Sequence, residues 1–329
     1  MEKEKARQAE RFRELGLVVF IIIISIAIQF RNKEFLTPLN IRNMLTNTAI
    51  LSILSVGMMM VLITGGIDLS IGAIMALSGM VTALSVRGNA ALSPAFLLLE
   101  GTVVGAVAGA ITGLLIARFS ILPIIASLGL MNVIRGLTYV VSGGQWVSAH
   151  QMPVSFKNIA TGSILGINNL ILIAIIIYVV FYYFINHTRT GRRIYAVGSN
   201  PEAAEVIGLP KRRIVWMVYV LMGALAGLAG VLWVAKFASA QGDTAVGYEM
   251  NVIASCVLGG VSVSGGRGKI LGLLLGVILF GILANALPLI NVSSFWQQAI
   301  QGVVILSAII MNVLIKRNND RAALARRVI

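Results

Sequence analysis

Apolar stretches long enough to cross a bilayer follow one another along almost the whole chain, separated by short polar or glycine-rich segments. About 17 to 25 mostly apolar residues suffice for a helix to span the hydrocarbon. The pattern predicts ten spans: 15–30, 47–64, 67–86, 95–117, 122–141, 169–186, 214–235, 250–264, 270–288 and 297–315. The expected range is eight to ten, because 15–30 is short and 250–264 ends in glycines too soon to cross unaided. An element of that kind is tolerated only where protein or a water-filled cavity covers its backbone. The most informative interruption is Gly65-Gly66-Ile67-Asp68-Leu69-Ser70, a helix-breaking glycine pair and one carboxylate between two long apolar runs. A charge at membrane depth costs about 2.5–3.5 kcal/mol on insertion scales, so Asp68 must face protein or water. The pattern therefore predicts an all-α polytopic membrane protein, one transmembrane domain over 1–329, with polar, broken elements of the sort that line a conduit.

Composition agrees, with 58% hydrophobic and only 12% charged residues. Charge then sets the orientation. With both termini in the cytoplasm, nineteen of the 26 lysines and arginines fall on inner segments, a strong positive-inside asymmetry. That asymmetry accounts for the net charge of +14, which in a soluble protein would suggest nucleic acid; no nucleic-acid partner is expected here. Residues 1–14 alternate acidic and basic and read as a solvated, cytoplasmic helical extension; 316–329 reads as a basic cytoplasmic tail. The N-terminus resembles a signal peptide, but no small-x-small site follows Phe30, so an uncleaved first helix is expected. The lone Cys256 excludes an intrachain disulfide and a cysteine metal cluster, and reads as a packing residue.

The longest inner loop, 187–213, carries helix punctuation. Ser199 or Asn200 can cap, Pro201 suits the first turn, Glu202 stands three after Ser199 as in a capping box, and Gly208 with Pro210 stops the helix. A short extramembrane helix near 201–207, comprising Ala203, Ala204 and Glu205 among others, follows. Flanked by Arg192, Arg193, Lys211, Arg212 and Arg213, it is either a rigid knob for a soluble partner or a linker helix resting on anionic headgroups.

Three further constellations lie within the membrane. Arg135 stands about six residues, or roughly 9 Å, below the outer end of its helix, and Glu100 enters from the same side to roughly 8 Å. Desolvated charges persist when paired, which predicts a Glu100–Arg135 ion pair; snorkelling of both toward the outer surface is the alternative. Gly259-Gly260-Val261-Ser262-Val263-Ser264-Gly265-Gly266-Arg267-Gly268-Lys269 invites a phosphate-loop reading and fails it: a glycine would have to replace Val263 and a Ser or Thr Ile270. It reads instead as a helix ending in flexible backbone at the inner face. Gly101, Gly105, Gly109 and Gly113, and likewise Gly223, Gly227 and Gly230, mark helix faces for close packing and a tightly nested bundle.

Together these residues carry a family resemblance. Gly65-Gly66-Ile67-Asp68-Leu69-Ser70-Ile71-Gly72, then Ser127-Leu128-Gly129 with Arg135-Gly136, then 190–204 (Thr190-Gly191-Arg192-Arg193 through Asn200-Pro201-Glu202-Ala203-Ala204), then Ala254–Ser262 with Gly265-Gly266, resemble in order the permease subunits of bacterial ABC importers of the ribose type. That branch also handles xylose, arabinose, galactosides, rhamnose and autoinducer-2. Ser127, where threonine is commoner, and Ser264 depart slightly from its pattern. The resemblance implies a non-enzymatic transport subunit of the inner membrane. Its partners would be two cytoplasmic ATP-binding subunits, an external sugar-binding protein, a second permease (identical or a sister chain) and membrane lipids.

It implies no directly bound cofactor and no metal, with ATP and magnesium on the partner, and it makes Ser199–Glu205 and Gly208 the coupling segment. Alternating access for a monosaccharide would need weak, multiple polar contacts; candidates are Gly65, Gly66, Asp68, Ser70, Asn132, Gln145, Trp146 and Asn251. Asp68 either contacts sugar or caps a helix. A self-contained secondary transporter is the alternative function, since it also uses broken helices and midplane ionisable groups; apart from Arg135 the chain offers it Asp68 and Glu100. A membrane-embedded enzyme is disfavoured because His150 and His187, the two histidines, lie in predicted loops.

Overall fold

The computed structural model describes residues 2–293, 295–304, 306, 307 and 310, with side chains from residue 14 onward. Its principal helices are α1 (Glu2–Arg31), α2 (Pro38–Ile63), α3 (Ile71–Gly88), α4 (Pro94–Phe119), α5 (Pro123–Ser142), α6 (Val154–Thr161), α7 (Asn169–His187), α8 (Arg189–Ser199), α9 (Pro201–Val206), α10 (Lys211–Phe237), α11 (Tyr248–Leu258) and α12 (Ile270–Leu289). A two-residue hairpin, β1 (Ser163–Ile164) with β2 (Ile167–Asn168), links α6 to α7. Among the described residues, eight helices are long and apolar enough to span a membrane: α1 from Glu14, α2 to α5, α7, α10 and α12.

Three expected boundaries shift for local reasons. The second span begins at Pro38 rather than 47, because Thr37 caps it by accepting the Asn40 N–H and Pro38 occupies the first turn; polar Arg42 and Asn47 lie within it. The third begins at Ile71, after the Asp68 turn. The expected span 250–264 is the 11-residue α11, roughly 16 Å long and therefore half a crossing, followed by the glycine-rich turn 259–269. Of the expected 297–315, residues 305, 308, 309 and 311–315 lie outside the described residues, as does the whole 316–329 tail.

The core sits around α2, every residue of which from Ala49 to Ile63 is buried; a helix apolar on all sides is one enclosed by other helices. The small-residue rows meet each other: Gly101, Gly105 and Gly109 of α4 lie against Gly227, Gly223 and Tyr219 of α10 so closely that a Cβ on Gly105 would overlap the Gly223 carbonyl. Along the same stretch of α10, Gly230 meets Met75 and Ser78, and Gly79 meets Val234, so α3 and α10 run parallel and α3 starts beside the middle of α10. The outward faces of α1, α5 and α7 carry large apolar side chains such as Ile23, Val140 and Val179, the surface a bilayer accepts.

Candidate functional site

The break between α2 and α3 begins where Gly65 takes φ +80°, a left-handed conformation that ends α2. The last amides turn back, Gly65 N–H to Leu62 O at 2.9 Å and Gly66 N–H to Val61 O at 3.0 Å. Asp68 Oδ1 then accepts the Ser70 N–H at 2.9 Å and the Ser70 hydroxyl at 2.6 Å, so the carboxylate holds the turn that starts α3. Asp68 is fully buried, and its Oδ2 has no hydrogen-bond partner. Tyr219 Oη donates to Ile67 O at 3.2 Å, which fixes the break level with the eighth residue after the start of α10. That is roughly 12 Å from the basic end of the helix.

A second broken element faces it. After α10 the chain passes through 238–247, with Ala238, Ala245 and Gly247 at positive φ, and starts α11 beside the first turn of α3. A Cβ on Gly72 would lie 3.0 Å from Glu249 Oε2. Arg135 latches this segment to α5, its Nη1 donating to Gly242 O at 2.8 Å and Thr244 O at 2.7 Å. The carboxylates acting on its charge are Glu249 and Asp243.

The expected Glu100–Arg135 pair does not form: Glu100 Oε1 accepts from Ser85 Oγ of α3 at 2.7 Å. Equal depth was the basis for pairing them, but the two side chains leave their helices in different directions. Two backbone carbonyls stabilise the guanidinium instead. Glu249, buried at 8% exposure, is the ionisable group the sequence reading missed. Its signal was an acidic residue in the first turn of an apolar run, two residues after Gly247.

The path candidates differ in burial. Asp68, Gly66 and Ser70 are buried, Gly65, Asn132, Gln145 and Trp146 are exposed, and Asn251 is half-buried. Among the described residues, no three His, Cys, Asp or Glu side chains cluster as a metal site would need.

At the basic end, Asn200, rather than Ser199, caps α9, its Oδ1 accepting the Ala203 N–H at 2.9 Å, so the Ser199–Glu202 capping box is not formed. Gly208 at φ +76° closes the helix, with Leu209 N–H returning to Ala204 O at 2.9 Å, and Glu205 pairs with Lys211 at 3.1 Å. Ala204 is buried, whereas Val206 and Ile207 are 87% and 71% exposed. The helix before it, α8, was not anticipated. Thr188 Oγ1 caps it by accepting the Gly191 N–H at 3.0 Å, and Ile194 and Val197 bury its apolar edge. Arg189, Arg192 and Arg193 line a shallow cavity on the outside of α8.

A family model described as branched-chain amino acid transport system / permease component matches residues 40–309. The chain is 41% identical over 299 residues to the ribose import permease protein RbsC of Bacillus subtilis (strain 168), covering 91% of each chain. It is 38% identical over 312 residues to RbsC of Escherichia coli (strain K12), covering 94% of this chain and 95% of that one. It is also 36% identical over 307 residues to the L-arabinose ABC transporter permease protein AraH of Azospirillum brasilense, covering 93% and 89%. No solved structure matches.

Proposed function

We propose, from the premise that this chain belongs to the permease-component family of branched-chain amino acid transport systems, that it is the multi-pass inner-membrane permease of an ATP-driven importer for a pentose or similar monosaccharide. The observation that carries this reading is the end-to-end similarity to ribose and arabinose permeases, beginning ahead of the α2–α3 break and continuing through α9 to α12. The chain supplies the passage. Two ATP-binding subunits supply hydrolysis with their own ATP and magnesium, and an external binding protein delivers the sugar. A second permease, the same chain or a sister, completes the path.

The coupling element in this reading is α9. It is short and capped at both ends, and Glu205–Lys211 ties it to the start of α10. It presents Val206 and Ile207 to the cytoplasm beside a basic surface. Two adjacent exposed apolar side chains at the tip of a rigid element offer a partner apolar area to bury. ATP-driven closure of the partner subunits would then move the two knobs and rock the permease halves, opening the passage inward.

The test is a mild-detergent purification of the tagged chain from its native membrane, with mass spectrometry of what comes with it. An ATP-binding subunit and a binding protein are expected in the eluate. If the chain purified alone and moved sugar into liposomes without ATP, the importer reading would give way to a secondary transporter.

A further inference from the structure

Three chain segments meet at the inner end of α2, and each arrives as bare backbone. Gly266 N–H donates to Ile63 O at 2.9 Å, so a helix-terminal carbonyl, which has no partner within its own helix, is satisfied from the 259–269 turn. Gly198, the penultimate residue of α8, lies against the same carbonyl: a Cβ there would overlap Ile63 O and stand 3.0 Å from Gly266 N. A Cβ on Gly265 would fall 2.7 Å from Gly198 O and 3.3 Å from Gly65 N. Tyr195 Oη, on the same helix as Gly198, donates to Gly268 O at 2.7 Å. The docking segment is thereby seated directly on the end of α2, two residues before Gly65 and five before Asp68, with backbone against backbone at Gly198 and Ile63.

Side chains at such a junction would swivel through their rotamers. Backbone in van der Waals contact, closed by a hydrogen bond, has no such slack, because packed interiors are bistable rather than continuously deformable. We propose that the Ile63–Gly198–Gly266 junction is a rigid link by which α8 and α9 move the α2–α3 break, so that displacement of the docking helix shifts the Asp68 turn and the glycine turn together. Gly198 is then a positioning residue for transport that touches neither sugar nor nucleotide. This rests on α9 being the docking helix, and the experiment below separates the two claims.

The Gly198→Ala chain is purified in its full complex and its hydrolysis is measured with and without sugar-loaded binding protein. In parallel, spin labels are placed at Arg193→Cys on α8 and Ser264→Cys in the glycine turn, both exposed, while the native Cys256 is buried beyond the label's reach. The link predicts that Gly198→Ala retains its ATP-binding subunits and unstimulated hydrolysis but loses stimulation and uptake by about tenfold or more, within the ordinary range of allosteric coupling. It also predicts one label-to-label distance in the nucleotide-free and ATP-bound complexes. Normal uptake by Gly198→Ala would overturn the proposal, as would release of the ATP-binding subunits, which would assign Gly198 to docking. A label distance that changes with nucleotide would overturn it even if Gly198→Ala did not accumulate in the membrane. A failure of the docking reading itself would show separately, as normal stimulated hydrolysis in Glu202→Arg.

Discussion

Replacing Arg135 with methionine removes the two charge-assisted hydrogen bonds that hold Gly242 and Thr244 to α5, at 2.8 and 2.7 Å. Hydrogen bonds to charged groups contribute about 1.5–3 kcal/mol each. Because the guanidinium is only half-buried, the lower value applies and the latch holds the 238–247 segment by about 3 kcal/mol. Methionine keeps the apolar stem, so the loss is confined to that segment. Hydrogen exchange of the purified protein, followed peptide by peptide, reads this as local opening. Amides of 242–250 should exchange about 150-fold faster, the factor that 3 kcal/mol gives at RT of about 0.59 kcal/mol, while α4 and α10 are unchanged. Arg135→Lys, a point charge that serves one carbonyl well, should fall between the two. If Glu100 were the true partner, Glu100→Gln would loosen the same peptides and the double variant would be no worse than either single one. Protection over 242–250 that stays within about threefold of the parent in Arg135→Met, a change under 1 kcal/mol, would refute the latch.

Further outcomes follow from other contacts. Gly105→Leu cannot be accommodated against the Gly223 carbonyl and should abolish recovery of monodisperse protein by size-exclusion chromatography, whereas Gly129→Ala, with nothing within 4 Å of the added carbon, should elute like the parent. Asp68→Asn keeps an acceptor for Ser70 and should melt close to the parent, while Asp68→Ala, which loses both bonds, should be destabilised by about 2 kcal/mol; equal melting of the two would remove the structural role of the carboxylate. Ile207→Asp, on the exposed tip of α9, should leave membrane insertion intact and abolish binding-protein-stimulated hydrolysis by the complex. Stimulation at the parental rate would remove the docking face.

The sequence pattern was a good guide wherever the signal was local. Apolar length located the spans, and Gly65-Gly66 and Gly259-Gly260 located the breaks, because helix ends are written in residues adjacent in the chain. Pro201 and Gly208 bounded α9 to within a residue for the same reason. Local signals also misled where two residues compete for one role: Asn200 and Ser199 can both cap, and backbone geometry chose Asn200. α2 starts nine residues before its apolar run, where Arg42, Asn43 and Asn47 mask a helix that is polar at its N-terminal end. What could not be read was direction around a helix axis. Depth arithmetic placed Glu100 and Arg135 at one level, but only the fold turns Arg135 toward 242–244 and Glu100 toward Ser85. The seating of Gly198 on Ile63 joins residues more than a hundred positions apart, and nothing in either neighbourhood announces it.

The most direct test of the account is uptake of labelled ribose and arabinose by proteoliposomes holding this chain with its ATP-binding subunits, with binding protein outside and ATP enclosed. The account predicts accumulation of one of the sugars that requires ATP, the binding protein and this chain together. Accumulation that persists without ATP, or with this chain alone, would contradict it.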